Sequence, residues 1–284
     1  MTLHDRPGSS PDCHNMNSRG QLVTLFALMS VVLIACSRKI QTLSPSQREV
    51  IRARITNAFV HTVLFQPTDA GSNSNLALRL APLIVQEAAN NNTAALWQDQ
   101  FGPTDATPVV ECTSSSVLIN DRTHNQFVYS WSYPPTSRPT LAKSQGVRLT
   151  LNVAGEPVIW EVLADSTSAN ILYVAQSIEL AARAEFGSPL PGRKFSIERS
   201  LADAPNTIVA NVIDDGPVPM GPVVYLRQES HDVSTLLCRC MASQGGTLLG
   251  QTNYELHLNP LQTNRPSTFP PEQLEQQLRL PRSF

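Results

Sequence analysis

Val147, Leu149, Leu151 and Val153 alternate with Arg148, Thr150 and Asn152, and no other stretch limits the fold of this chain as tightly. A period of two puts every apolar residue on one face of an extended strand, which must then be covered to leave water. Ala154-Gly155-Glu156 connects this strand to Val158 to Leu163, so the two read as a β-hairpin. The same period begins at Pro108. Val109 to Cys112 and Ser116 to Asn120 read as short strands, and 120–125 as a turn before a strand from Gln126 to Tyr133 whose Phe127, Tyr129, Trp131 and Tyr133 share a face. Arg193 to Arg199, Thr207 to Ile213, Val223 to Leu226, Leu236 to Met241 and Tyr254 to Leu258 are further strand candidates, separated by Pro and Gly turns.

Helical signals flank these strands. Ser44-Pro45-Ser46-Gln47 has the order of a helix start, with Ser as N-cap, Pro at N1 and Gln at N3, and apolar spacing predicts a helix over 46–64. A second helical segment is expected over 76–89, kinked or starting late at Pro82. Ser168 followed by Ile171, Val174, Ala175, Ile178 and Ala182 predicts a helix over 169–186 that ends at Gly187 and packs on the sheet. Val174 and Ile178 are expected against Leu149, Leu151 or Ile159. The expected fold class is therefore α+β: an antiparallel sheet of short strands with one packed helix, preceded by an N-terminal helical portion. The organisation reads as a helical portion over 45–104, an α+β body over 105–258, and a Pro- and Gln-rich tail over 259–284 that is a docked terminal helix or a disordered arm.

Ahead of this body runs an uncharged apolar stretch, Leu22 to Ala35, broken only by Thr24 and Ser30 and bounded by Arg19 and by Arg38-Lys39. It is too short to cross a hydrocarbon core, which needs roughly 20 residues, but matches the apolar region of a secretory signal. Its last residues, Leu33-Ile34-Ala35-Cys36, resemble the lipobox of bacterial lipoprotein precursors, where an aliphatic, a variable and a small residue precede an invariant cysteine. The resemblance implies cleavage between Ala35 and Cys36, a diacylglyceryl thioether on Cys36, and acylation of the new amino group. Residues 1–35 are then a signal peptide and 36–44 a lipidated tether. Residues 1–15, with Asp5, Pro7, Pro11 and Asp12, do not form a basic leader, so Met16 is the expected initiator. Ser37 differs from the aspartate that marks inner-membrane retention in proteobacterial lipoproteins, which implies the outer membrane if the source has two.

The formal charge of −2, with Lys and Arg dispersed, argues against a nucleic-acid partner. Of five cysteines, Cys13 leaves with the signal and Cys36 is lipidated; Cys112, Cys238 and Cys240 remain, enough for one disulfide. Cys112 with Cys238 or Cys240 is the simplest pairing, although spacing does not determine connectivity. On a strand, Cys238 and Cys240 share a face and with Met241 could present soft ligands to copper(I), with His231 and His257 as other candidates. Two small side chains filling a strand face is the preferred reading. Asp214 to Pro222 reads as a connecting loop, with calcium binding or recognition as alternatives, and lacks the spaced oxygen ligands of an EF-hand. Ser114 to Ser116 reads as a bulge or turn, His61 as a residue of the first helix, and His124 as a turn residue. The aromatic face of Phe127 to Tyr133 reads as packing under the 169–186 helix rather than a ligand groove.

No hydrolase elbow, metalloprotease or phosphate-loop motif occurs. The expectation is a non-enzymatic binding or scaffolding protein of the bacterial cell envelope, held to the membrane by the lipid on Cys36, with no cofactor and a partner among envelope proteins. A metal or redox protein using Cys238, Cys240 and Met241, and an envelope hydrolase without a recognisable motif, are the alternatives.

Overall fold

A computed structural model describes residues 43–54, 61–68, 75–88, 107–133, 143–164, 169–216, 221–227, 230–238, 247–259 and 274–284. The local signals act where they occur. Gln47 N donates to Ser44 Oγ (3.2 Å) and Ser44 N to Gln47 Oε1 (2.8 Å), a reciprocal cap that starts helix α1 at Pro45–Arg54. Asn120 and Asp121 adopt φ of 49° and 59°, the geometry of a two-residue primed turn, and join two long strands, β3 (Val109–Ile119) and β4 (Arg122–Tyr133). The expected break inside residues 109–120 is absent: Ser114, Ser115 and Ser116 are strand residues opposite Phe127, Gln126 and Asn125.

The alternating hairpin forms as β5 (Lys143–Leu151) and β6 (Pro157–Val162), paired antiparallel. Its connection is held by Asn152 Oδ1, which accepts from Ala154 N and Glu156 N at 2.9 Å each, and by Gly155 at φ 81°.

The expected fold class does not survive. The protein is mostly β, with an eleven-stranded mixed sheet forming a nearly closed barrel and few helices, not an antiparallel α+β sheet. The region 45–104, expected to be helical, contributes β1 (His61–Pro67) and β2 (Leu83–Glu87), with a single short helix α2 (Leu76–Arg79) between them. Pro82 ends the helical pattern, and the β-rich runs Thr62 to Phe65 and Leu83 to Val85 find strand partners. Residues 170–175, expected in a helix, form β7 (Asn170–Ala175), and α3 is only Gln176–Phe186. Ile171, Leu172, Tyr173, Val174 and Ala175 are all buried, as in a strand covered on both faces, where period cannot distinguish strand from helix. Val174 thus lies opposite Ile159 as a cross-strand neighbour, while Ile178 and Ala182 supply the buried stripe of α3. Ser168 lies outside the described residues. Gly187, at φ 79°, ends α3 as its sequence position predicts, its N–H donating to Arg183 O (3.0 Å).

The remaining strands are β8 (Thr207–Ile213), β9 (Pro222–Leu226), β10 (Val233–Cys238) and β11 (Thr247–Asn259), followed by α4 (Leu274–Gln277). Strand order is β10-β9-β2-β1-β11-β3-β4-β5-β6-β7-β8. The pairs β1/β11, β11/β3, β2/β9 and β7/β8 are parallel, so the sheet is assembled from chain segments far apart in sequence.

Residues 187–206 return from α3 to β8 as irregular chain; the strand expected over Arg193 to Arg199 is not formed. A buried charge pair replaces it. Arg193 Nη1 donates to Glu198 Oε1 (3.4 Å) and Thr207 O (2.6 Å), and Glu198 Oε1 also accepts from Val209 N (3.4 Å). Side chains therefore satisfy backbone groups of β8 at the sheet edge, where an unpaired strand would otherwise invite association. Leu274, Leu278, Leu280 and Phe284 are buried, so the described end of the tail is docked.

Candidate functional site

Two tyrosines on one face of the sheet hold α2 and the segment that follows it. Register places Leu258 beside Cys112 and Cys112 beside Tyr129, so Tyr254, Cys112 and Tyr129 lie on a common face. Tyr129 hydroxyl donates to Ala77 O and Tyr254 hydroxyl to Pro82 O, both at 2.7 Å. The aromatic row Phe127, Tyr129, Trp131 is buried, but what it meets at Tyr129 is α2, not the helix after residue 169.

The opposite face carries a feature the alternation pattern conceals. Arg148 and Thr150, the polar positions of β5, are buried rather than solvated. Arg148 sits directly across from Glu161 and Thr150 across from Gln126. Arg148 Nη1 lies 3.2 Å and 3.3 Å from the two Glu161 carboxylate oxygens, and Gln126 Nε2 donates to Thr150 Oγ1 (2.9 Å). His124 extends the row: its Nδ1 is 2.9 Å from Leu151 O, which can only accept, so that nitrogen carries the proton. The ring stacks on Phe284 at 4.3 Å between centroids and 2° between planes. His124 is thus a buried strand residue, not the turn residue expected. Arg122 Nη1 donates to Phe284 O (3.4 Å) and Asn120 Nδ2 to Pro281 O (2.9 Å), fastening residues 281–284 over this end of β4. The block neutralises its own charge and is covered, so it acts as an organising element of the sheet.

The residues singled out from sequence are dispersed. Cys36 and Ala35, Cys240 and Met241 lie outside the described residues. Cys238 ends β10, opposite Pro222. His257, the distant co-ligand candidate, lies on β11, separated from β10 by β9, β2 and β1. Among the described residues no group of three or more His, Cys, Asp or Glu is placed to hold a metal ion. The pairing of Cys112 with Cys238 or Cys240 is not made: Cys112 is a buried free thiol. Burial pushes its pKa up to about 12, against a smaller opposing effect of a hydrogen bond with Tyr129. A thiol held neutral in this way is a poor nucleophile and a poor metal ligand.

Asp215, in the loop considered for calcium, is already engaged. Its Oδ2 accepts from Ser177 N and its Oδ1 from Ser177 Oγ, both at 2.8 Å, capping the first turn of α3 from across the parallel β7/β8 connection. His61 opens β1 rather than lying in a helix. On the exposed side of β11 and β3, His257 approaches Glu255 Oε2 (3.4 Å) and Glu111 Oε1 (3.7 Å), a solvent-screened group of little energetic weight.

Gln126 and Glu161, partners of the buried block, were missed because single-strand periodicity reports which positions share a face but not whether a polar face is itself covered. Comparison with protein-family models, with characterised proteins and with solved structures finds no match.

Proposed function

We propose that this chain is a lipid-anchored protein of the bacterial cell envelope, held by acyl chains on Cys36, whose β-rich body has a binding or scaffolding role. The observation that carries this reading is Leu33-Ile34-Ala35-Cys36 closing the apolar run from Leu22, with Arg38 and Lys39 immediately after it. Among the described residues no helix is long and apolar enough to cross a membrane. Each buried methylene adds roughly 0.8 kcal/mol of membrane affinity, so the two or three chains implied for Cys36 hold where one would be marginal. Ser37 favours the outer membrane in a two-membrane source.

The test is metabolic labelling with palmitate in cells expressing the wild type and Cys36→Ala. Label is expected in the wild type only, with Cys36→Ala released to a soluble fraction or retained as an unacylated precursor. Equal label in both would overturn the proposal.

A further inference from the structure

We infer that residues 274–284 fill, in cis, a groove that docks an amphipathic segment of a partner protein; the inference rests on the binding role proposed above and names its class of partner. Leu274, Leu278, Leu280 and Phe284 are the buried apolar contacts, at positions i, i+4, i+6 and i+10 of the seated segment. Several elements build the seat. Phe284 stacks on His124 of β4, the Arg279 guanidinium lies 5.1 Å over the Phe186 ring of α3, and Asn120 N donates to Glu275 Oε1 (2.9 Å). Arg199 Nε donates to Leu278 O (3.1 Å).

The first support is how the segment is held. Among the described residues it joins no strand: Glu198 and Leu278 form an isolated antiparallel bridge, with Arg279 N donating to Ile197 O (2.7 Å). Side chains make its other fastenings, Asn120 Nδ2 donating to Pro281 O and Arg282 N to Glu185 Oε2 (2.8 Å). A helical turn and extended chain held by spaced apolar anchors is how one protein seats a segment of another.

The second support is what the seat leaves unpaired. Gln277 Oε1, Arg279 Nε, Ser196 Oγ and His124 Nε2 are buried without hydrogen-bond partners. Each carries a desolvation cost that water relieves when the segment lifts, so this corner opens locally while the sheet stays folded. With the proton on Nδ1, His124 Nε2 only accepts, and a partner segment that brings a donor there binds better than residues 274–284 do. A second copy brings the same unpaired atoms and gains nothing. The geometry therefore favours a different protein as occupant.

The third support is reach. Asn259 pairs with Thr113, and the segment begins beside Asn120, about 23 Å further along β3 at roughly 3.3 Å per residue. The chain from Asn259 to Leu274 can extend to about 50 Å. The segment can leave its seat with β11 still paired.

The test uses the full chain and a fluorescent synthetic peptide of residues 271–284. Hydrogen exchange is expected to be faster over 274–284 and 195–199 than over β4, β5 and β6; equal exchange overturns the local opening. Leu278→Asp in the chain unseats its own segment, so the peptide should bind that variant at least about tenfold tighter than the wild type, by fluorescence anisotropy, because a tethered competitor is gone. The same peptide carrying Leu278→Asp should not bind. Should Leu278→Asp also cost the sheet its slow exchange, a chain carrying a protease site within 263–268 and cut after folding takes its place, and the cut segment should exchange for labelled peptide. Absence of saturable binding overturns the groove and leaves palmitate labelling at Cys36 unaffected, whereas lost label with binding intact overturns the anchor alone. Self-association of the full chain at the peptide's affinity overturns the choice of a different protein and assigns the groove to a second copy.

Discussion

Arg148 and Glu161 face each other across β5 and β6 at 3.2 Å, with side chains 2% and 5% exposed, inside a sheet whose sequence pattern assigns Arg148 to solvent. Both carboxylate oxygens lie within reach of the same guanidinium nitrogen. Removing one member takes away the counter-charge that faces the other, which for a buried pair typically costs about 3–5 kcal/mol, whereas replacing both with apolar residues of similar volume is often neutral. Glu161→Ala should therefore lower stability by about that amount in urea denaturation, and Arg148→Met with Glu161→Leu should recover most of it. A double variant as unstable as the single one would show that the pair contributes more than mutual neutralisation.

Cys112 ties stability to alkaline pH. Burial pushes its thiol up to about 12 from an ordinary value of 9.0, so above pH 9 the unfolded chain releases this proton while the folded protein keeps it. Stability is fully present below pH 9 and falls between pH 9 and 12, by up to about 1.4 kcal/mol per pH unit from this group. The wild type should lose more stability than Cys112→Ala over that interval, as read from chemical denaturation at a series of pH values. The native protein should also leave Cys112 unreacted with iodoacetamide at pH 8 until it is unfolded, by mass spectrometry.

Gly146 is required by close approach rather than by φ. A Cβ there would lie 2.6 Å from Tyr129 O on the neighbouring strand and 3.2 Å from Leu163 Cδ1. Because the first obstacle is backbone, Gly146→Ala should separate β4 from β5 locally and cost about 1–3 kcal/mol. Gly155→Ala, with nothing within 4 Å but φ at 81°, should strain the turn without a clash. The two variants are distinguished by amide exchange in β4, which only the first should accelerate.

Asp215 acts on α3 from a position 38 residues after Ser177. Asp215→Ala should cost about 0.5–2 kcal/mol, as loss of a helix cap does, and Asp215→Asn should retain most of the stability by keeping one acceptor. Thermal melts of the two variants check this order.

Where a signal is complete within a few residues, the sequence was legible. The Ser44–Gln47 cap, the β5–β6 hairpin and Gly187 depend on local hydrogen bonds and backbone sterics that neighbouring residues supply, whereas the turn expected over 120–125 is confined to Asn120 and Asp121, Arg122 to Asn125 being drawn into β4 by pairing with β3. The sheet was not legible in that way. His61–Pro67 and Leu83–Glu87 become strands because they find β11, β9 and each other, partners up to 187 residues away in the chain. Asn170–Ala175 carries an apolar run compatible with either period until β6 and β8 take its two edges.

By itself the sequence determined the hairpin faces, the start of α1 and the apolar run ending at Cys36, because these follow from side-chain period, capping geometry and uncharged length. Only the tertiary structure decided that β5 is covered on both faces, that Arg148 meets Glu161, that Cys112 remains a buried thiol, and that Phe284 stacks on His124. Each is a matter of which distant surface excludes water from a given side chain, and long-range contact decides that.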